Sequence, residues 1–335
     1  MIIAGKRILV TGGAGFIGSE LVRQLAELRA EVAVVDNLVN GRRENLAGLP
    51  GDVLFVEADI RDTERMEKLA KRADLIFHLA CLGVRHSIHS PRENHEVNAA
   101  GTLSMLMAAR TAGAERFVYV SSSEVYGPAR WVPMSEDHPT FPRTVYGASK
   151  LAGECYTRAF YYTHGFPTVV IRPFNTYGPR CHHEGDSGEV IPKFLLRCMA
   201  GRPMVIFGDG KQTRDFTYVT DSARGIIIAG TNDRAIGATL NLGSGQEVSI
   251  ADLAREVGAA IGRPAPPVEH IEPRPGDVGR LCADMSRARE LCGYQATVTL
   301  QEGLGQLKNW YEAQGTPPEV LLEKEIVQNW VGKHA

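Results

Sequence analysis

Thr11-Gly12-Gly13-Ala14-Gly15-Phe16-Ile17-Gly18 stands between an apolar run at residues 7–11 and a helix-forming stretch that starts near Phe16. Glycines at 12, 15 and 18 permit a tight turn and a close approach of backbone to a ligand. The helix start behind them offers N–H groups to an anion such as a pyrophosphate. Alone the spacing is weak, but Asp36 ends the next apolar run, about 20 residues on, where a carboxylate accepts hydrogen bonds from an adenosine ribose. The stretch therefore reads as a dinucleotide site, with Phe16 and Ile17 opening the helix and Asn37 beside the acid. A carboxylate there disfavours a 2′-phosphate, so NAD is expected over NADP, although Arg42 and Arg43 nearby pull the other way.

Further short runs rich in Val, Ile, Leu or Phe follow at 31–36, 53–57, 75–79 and 117–121, separated by helix-length segments. That alternation predicts buried parallel strands with crossover helices, a Rossmann-type doubly wound α/β sheet. Asp59 and Ile60 then fall beside the adenine, and His78, Leu79 and Ala80 close the fourth strand under the cofactor. Helices over 91–112 and 145–163 are expected to pack on one face and to supply a homodimer interface. After a strand at 169–172 the texture changes to loops with Gly and Pro at 175–189, 208–213 and 262–279. The expected division is an NAD-binding domain at 1–174 and a smaller substrate lobe at 175–315 with segments returning to the first domain. Residues 316–335 read as a helical appendage with a pattern running to Trp330.

Lys and Arg total 37 against 39 Asp and Glu, so no net field favours nucleic acid or an anionic membrane, and a small ligand is expected. Cys81, Cys155, Cys181, Cys198, Cys282 and Cys292 show no metal or redox spacing and read as reduced thiols. No stretch has the apolar length of a membrane span or the form of a signal peptide, which places the chain in the cytoplasm as an expectation. In residues 180–186 two His and two acids crowd a loop without metal-site spacing. They read as residues of a substrate lid, with no metal.

Tyr146 and Lys150 lie four residues apart, on one face of a helix. Free tyrosine, with a pKa near 10, is too weak a base at neutral pH. A neighbouring ammonium and a positive nicotinamide ring favour the phenolate, and Ser122 at the end of the preceding strand can bond the same substrate hydroxyl. Together they can take a proton from a carbinol while hydride leaves to the nicotinamide.

With these motifs in place the chain resembles the extended short-chain dehydrogenase/reductases, in their nucleotide-sugar epimerase/dehydratase branch. The resemblance spans about residues 5 to 315 through TGGAGFIG, VVDNL, HLA, Val97-Asn98, VSSSEVYG, YGASK, IRPFNTYGPR, GDGKQTRDFTYV and RPGD. It implies that Gly12, Gly15, Gly18, Asp36, Asp59 and Lys150 bind NAD, with Ser121, Leu79 and Ala80 alongside. Asn98 would lie near the active-site helix, and Tyr146 and Ser122 would do acid–base work on a sugar C4 hydroxyl. Asn175, Arg180, Arg214, Arg274 and Asp277 would hold the rest of the nucleotide sugar. The physical reading agrees, since arginines from separate loops offer planar donors for a pyrophosphate; for Arg214 the alternative is an ion pair with Asp215.

Members of that branch share C4 oxidation and then diverge. Dehydratases typically carry Asp then Glu after the serine; here stand Ser123 and Glu124, the decarboxylase pattern, whereas GDGKQTRDFTYV and RPGD have the epimerase form. Arg85, in Leu82-Gly83-Val84-Arg85, resembles a segment of epimerases and would meet a substrate carboxylate or bridge Glu93 or Glu96. Cys81 faces the sugar or is simply buried. A 4-epimerase of a UDP-hexose or UDP-hexuronate is placed first, a UDP-glucuronate decarboxylase second and a 4,6-dehydratase third. A non-catalytic NAD(H)-binding regulator would be expected to have lost Tyr146, Lys150 or Ser122.

Overall fold

The computed structural model describes residues 1–51, 53–185, 187–263, 267–274 and 276–328. Seven parallel strands form one sheet: β1 (Arg7–Thr11), β2 (Glu31–Asp36), β3 (Leu54–Glu57), β4 (Leu75–His78), β5 (Arg116–Val120), β6 (Thr168–Pro173) and, from far along the chain, β11 (Thr239–Leu242). Their order is β11-β6-β5-β4-β1-β2-β3, so the chain reverses direction across the sheet between β1 and β4. In such sheets ligands settle outside the carboxyl ends of the strands at that switch point.

The strands read as unbroken apolar runs because both faces are covered. Ile8, Val10, Val34 and Phe77 point to one face and pack with α1 (Phe16–Glu27) and the later helix at Val219–Thr231. Leu9, Val35, Ile76 and Phe117 point to the other face, toward α2 (Thr63–Ala70) and the helices that follow β4. Those are α3 (Val84–His89), α4 (Pro91–His95), α5 (Thr102–Thr111) and α6 (Val145–His164).

The expected helix at 91–112 is not one α-helix: between α4 and α5 the chain widens into π turns over Glu96–Gly101. A π-bulge re-aims side chains, and here Asn94 and Asn98 both bond the loop after β4. Their Nδ2 atoms donate to the Leu82 carbonyl at 3.0 and 2.9 Å.

Beyond β6 a second apolar core forms around α7 (Val190–Met199), the first residue of α8 (the helix at Val219–Thr231, which otherwise packs in the first core), α9 (Ile250–Ile261) and, after α10 (Ser286–Cys292), α11 (Leu300–Ala313). Several stretches expected as loops contain short strands. β7 (Asn175–Tyr177) pairs with β10 (Phe216–Tyr218), β8 (Met204–Phe207) with β13 (Val268–Ile271), and β9 (Thr213–Arg214) with β12 (Val248–Ser249). Two to four residues are too few to show a period in the sequence; they pair because their partners are brought alongside.

The expected appendage is instead packed onto α7. Its helix α12 ends at Leu321 (Pro318–Leu321), a single 3₁₀ turn follows at Leu322–Lys324, and Leu322 is buried in the second core. The expected helix as far as Trp330 lies partly outside the described residues. No helix is long and apolar enough to cross a membrane among the described residues. The six cysteines are unpaired, with Cys181, Cys198 and Cys282 buried.

Candidate active site

A cavity of about 510 Å³ opens along the carboxyl ends of the strands and runs on between the sheet and the second core. Its volume lies in the range of sites for small organic ligands.

At the β1–α1 turn, Gly12 has φ +72°, and a Cβ there would lie 2.7 Å from the Ala80 nitrogen. A Cβ on Gly18 would meet the Gly12 carbonyl oxygen at 2.1 Å. The turn can therefore close only without side chains at these positions. Gly15 caps α1 with backbone alone, so no side chain covers the first helical turn at Phe16, Ile17 and Gly18, all of which line the cavity. This open helix start beside Asp36 fits a dinucleotide pyrophosphate and ribose.

Asp36 accepts from the backbone of Ala14 (3.0 Å) and Leu38 (2.9 Å), while burial raises its pKa. Asn37 donates to Asp59 at 3.0 Å, and Arg61 grips Asp59 with Nε and Nη2 at 2.9 and 2.7 Å, holding that carboxyl down at about 2. Ile60, Leu79, Ala80 and Ser121 complete this wall. The arginines that weighed toward NADP are occupied elsewhere. Arg42 pairs with Glu184, and Arg43 lies 5.1 Å over the Phe55 ring.

Two residues expected at the cofactor stand behind the cavity wall. Asn98 does not line the cavity; it fastens Leu82 (N–H donating, 2.8 Å) and Ser149 of α6 (3.2 Å). His78 is buried between the hydroxyls of Thr11 (2.7 Å) and Thr102 (3.0 Å), and burial, with Lys150 adding to it, lowers its pKa to about 3, so it stays neutral.

Thr144 caps α6 by accepting from the Gly147 N–H (3.1 Å), which sets Tyr146 and Lys150 in its first turns at the mouth of β5. Burial pushes the Tyr146 phenol well above its ordinary value, helped by Cys81 and by the carboxylates of Glu124 and Glu189; a hydrogen bond with Ser122 opposes this. Lys150 donates to the Val120 carbonyl at 2.6 Å and sits 4.7 Å over the Tyr119 ring, and burial lowers its pKa. The expected pull toward phenolate comes from the lysine and the positive nicotinamide ring together; within the protein itself burial is the larger effect on the phenol. The lysine's strongest contact is a backbone carbonyl.

Behind Ser121 lies a buried network that the sequence reading missed. Ser121 donates to Glu154 at 2.6 Å, and Arg172 clasps the same carboxylate with Nε (2.8 Å) and Nη2 (2.6 Å). Glu154 follows Lys150 by one helical turn, which is the signal that it faces inward.

On the substrate side Asn175 lines the cavity, and its Oδ1 is buried with no partner among the described residues. Arg214 and Arg274 also line it and converge on one oxygen of Asp277, at 2.6 and 2.5 Å. The alternative pairing of Arg214 with Asp215 does not form. Asp215 is taken by the N–H groups of Ser244, Gly245 and Ala283 and the Ser244 hydroxyl.

Arg85 lines the cavity, and its charge acts on both Glu189 and Lys193; Glu93 and Glu96 face Arg61 instead. Arg180 is not at the cavity. Its guanidinium turns to Glu20 of α1 at 2.5 Å and links the stretch after β7 to the first helix. In the 180–186 loop His182 reaches the cavity, whereas His183 pairs with Glu184 at 3.2 Å; Asp186 lies outside the described residues, as does Pro275 of RPGD. No three His, Cys, Asp or Glu side chains group as metal ligands among the described residues.

Ser123 and Glu124 line the cavity beside Tyr146, as does Cys81. Glu189 and Lys193 were not foreseen. Burial raises Glu189 to about 7 and lowers Lys193 to about 8.

Fold and site together define an NAD-dependent enzyme of the short-chain dehydrogenase/reductase type. The chain belongs to the NAD dependent epimerase/dehydratase family, which it matches over residues 8–243. It is 39% identical over 310 residues to a UDP-glucose 4-epimerase of Mycolicibacterium smegmatis, covering 91% of this chain and 98% of the relative. It is 32% identical to a UDP-N-acetyl-alpha-D-glucosaminuronate decarboxylase of Bacillus cytotoxicus, over 91% and 98% of the two chains. Among solved structures, the UDP-glucose 4-epimerase of Thermotoga maritima with UDP-glucose superposes with a TM-score of 0.87 at 33% identity, covering 92% of this chain and 100% of that one.

Proposed function

We propose that the protein is a nucleotide-sugar 4-epimerase acting on a UDP-hexose or UDP-hexuronate through a 4-keto sugar. The observation that carries this reading is that Tyr146, Ser122 and Lys150 share one cavity with two arginines converging on Asp277. The names of the relatives support it. Bound NAD supplies the hydride acceptor and donor.

The chain's own residues handle the proton. Ser122 orients the C4 hydroxyl, and Tyr146 takes its proton and later returns it. Because burial holds the phenol neutral, proton removal needs positive charge nearby, which Lys150 one helical turn away and the positive nicotinamide ring of bound NAD would supply together. Arg214 and Arg274 hold the diphosphate, and Asn175 meets the substrate through its unpartnered oxygen. Inversion requires the ketone to turn over while the diphosphate stays held.

Ser123 carries no acid to protonate a C6 hydroxyl, which disfavours dehydration. Decarboxylation of a hexuronate is the second reading, favoured by Glu124 beside Tyr146 at the cavity. We further read the enzyme as a cytoplasmic homodimer. The side-by-side packing of α5 and α6, with Met107 and Tyr162 exposed on them, supports a partner at that face, and the unpaired cysteines suit a reducing compartment.

The test is incubation in deuterated water with UDP-hexoses and UDP-hexuronates, followed by NMR. Inversion at C4 without solvent deuterium supports epimerisation. A pentose product would establish the second reading, and a new methyl with deuterium at C5 would overturn both.

A further inference from the structure

Glu189, the N-cap of α7, and Lys193 and Arg197 within it recur at four-residue intervals, and all three line the cavity. One helix face therefore presents a stripe of charge to the site. The C-terminal segment crosses that stripe. Glu325 takes Arg197 in a two-nitrogen ion pair, with Nε–Oε1 at 3.0 Å and Nη2–Oε2 at 2.9 Å, both side chains mostly buried. The Ile326 carbonyl accepts from Lys193 Nζ at 2.7 Å, and the Gly185 N–H donates to the Lys324 carbonyl at 2.9 Å. Glu325 and Val327 then form part of the cavity wall themselves.

The segment does two things to the charges beside it. It neutralises Arg197, and it leaves Lys193 cationic, since a backbone carbonyl engages one of the three ammonium donors without cancelling the charge. Arg85 lies close enough to Lys193 and Glu189 for its charge to act on both. The cavity rim beyond Tyr146 thus holds two cations around one carboxyl that burial raises to about 7, into the neutral range.

We propose that residues 318–327 are a working wall of the substrate site, which fixes Lys193 at the rim to meet an anionic oxygen of the nucleotide sugar. This rests on the nucleotide-sugar reading above. The oxygen belongs either to the diphosphate, common to all such substrates, or to the carboxylate of a hexuronate. Lys193 is a binding residue, and Glu325 a positioning residue that acts through the segment.

The test is calorimetric titration of the NAD-loaded protein with UDP, UDP-glucose and UDP-glucuronate. It compares wild type with Lys193→Gln, Lys193→Arg and Glu325→Gln, using bound NAD and thermal unfolding as fold controls. Losing one charge-assisted contact weakens binding about tenfold in Lys193→Gln. Lys193→Arg recovers part of that, and Glu325→Gln shows a smaller loss on the same ligands. Equal weakening for all three ligands assigns the oxygen to the diphosphate; weakening for UDP-glucuronate alone assigns it to the carboxylate. Wild-type affinity in both Lys193→Gln and Glu325→Gln would overturn the proposal. A wild-type protein that binds none of the three would instead overturn the nucleotide-sugar reading and the wall's role with it.

Discussion

The two sides of the cavity are built by different means. On the cofactor side, residues are placed by regular backbone: Gly12 and Gly18 by a strand-to-helix turn, Leu79 and Ser121 by the ends of β4 and β5, Tyr146 and Lys150 by a capped helix of 20 residues. On the substrate side, they are placed by ion pairs between segments far apart in sequence, Arg214 with Asp277 and Arg197 with Glu325. The first construction fixes atoms to a rigid sheet and suits the shared chemistry. The second leaves recognition to a few charges, which can be exchanged without disturbing the sheet.

If that contrast holds, damage on the cofactor side should strike turnover or folding, and damage on the substrate side should strike affinity. Tyr146→Phe is expected to have the largest effect, a loss of about 10²–10⁴-fold in kcat with NAD still bound, because only the proton transfer is removed. Near-normal turnover in a steady-state assay would break the assignment. Next, Glu154→Gln weakens the anchor of Arg172 in the interior, at a cost of about 3–5 kcal/mol in urea unfolding. The Arg280–Glu247 pair, whose arginine is exposed, should lose far less when Arg280 is replaced by Ala. Equal losses would erase the distinction.

Asp277→Ala frees both guanidiniums from their shared anchor, so KM for the nucleotide sugar should rise about tenfold while kcat changes little. The smallest effect concerns pH. Glu189, raised from 4.5 to about 7 by burial, binds more protons folded than unfolded between those values, so its contribution to stability falls as pH rises from about 4.5 through 7. Glu189→Gln should flatten that part of a melting-temperature profile, leaving the variant relatively more stable at pH 8 than at pH 5. An unchanged slope would show the carboxyl to be ordinary.

The same contrast explains what the sequence could tell. The glycine turn, Asp36 and the Tyr146–Lys150 spacing are local patterns whose meaning follows from a few adjacent residues, and β1 and β2 fall at their expected bounds. Asn98 and His78 were legible as close to the cofactor but not as supports behind it, because burial depends on what packs around them. Arg180 was read with the substrate residues around it, yet a left-handed backbone at φ +70° accompanies its turn away to Glu20. Lys193 and Glu325 were invisible, since their importance arises from contacts across more than 120 residues that no local period encodes, and Glu189 because its shift comes from burial. The expected loops at 175–189 and 262–279 concealed strands for the same reason.

The central claim is that one cavity removes hydrogen from C4 and returns it to the opposite face of the same carbon. The most direct measurement is incubation of the NAD-loaded protein with a UDP-hexose or UDP-hexuronate deuterated at C4, with the label followed by NMR. The account predicts a C4-inverted product that keeps its deuterium at C4. Inversion with loss of the label to solvent, or a product altered elsewhere with C4 unturned, would contradict it.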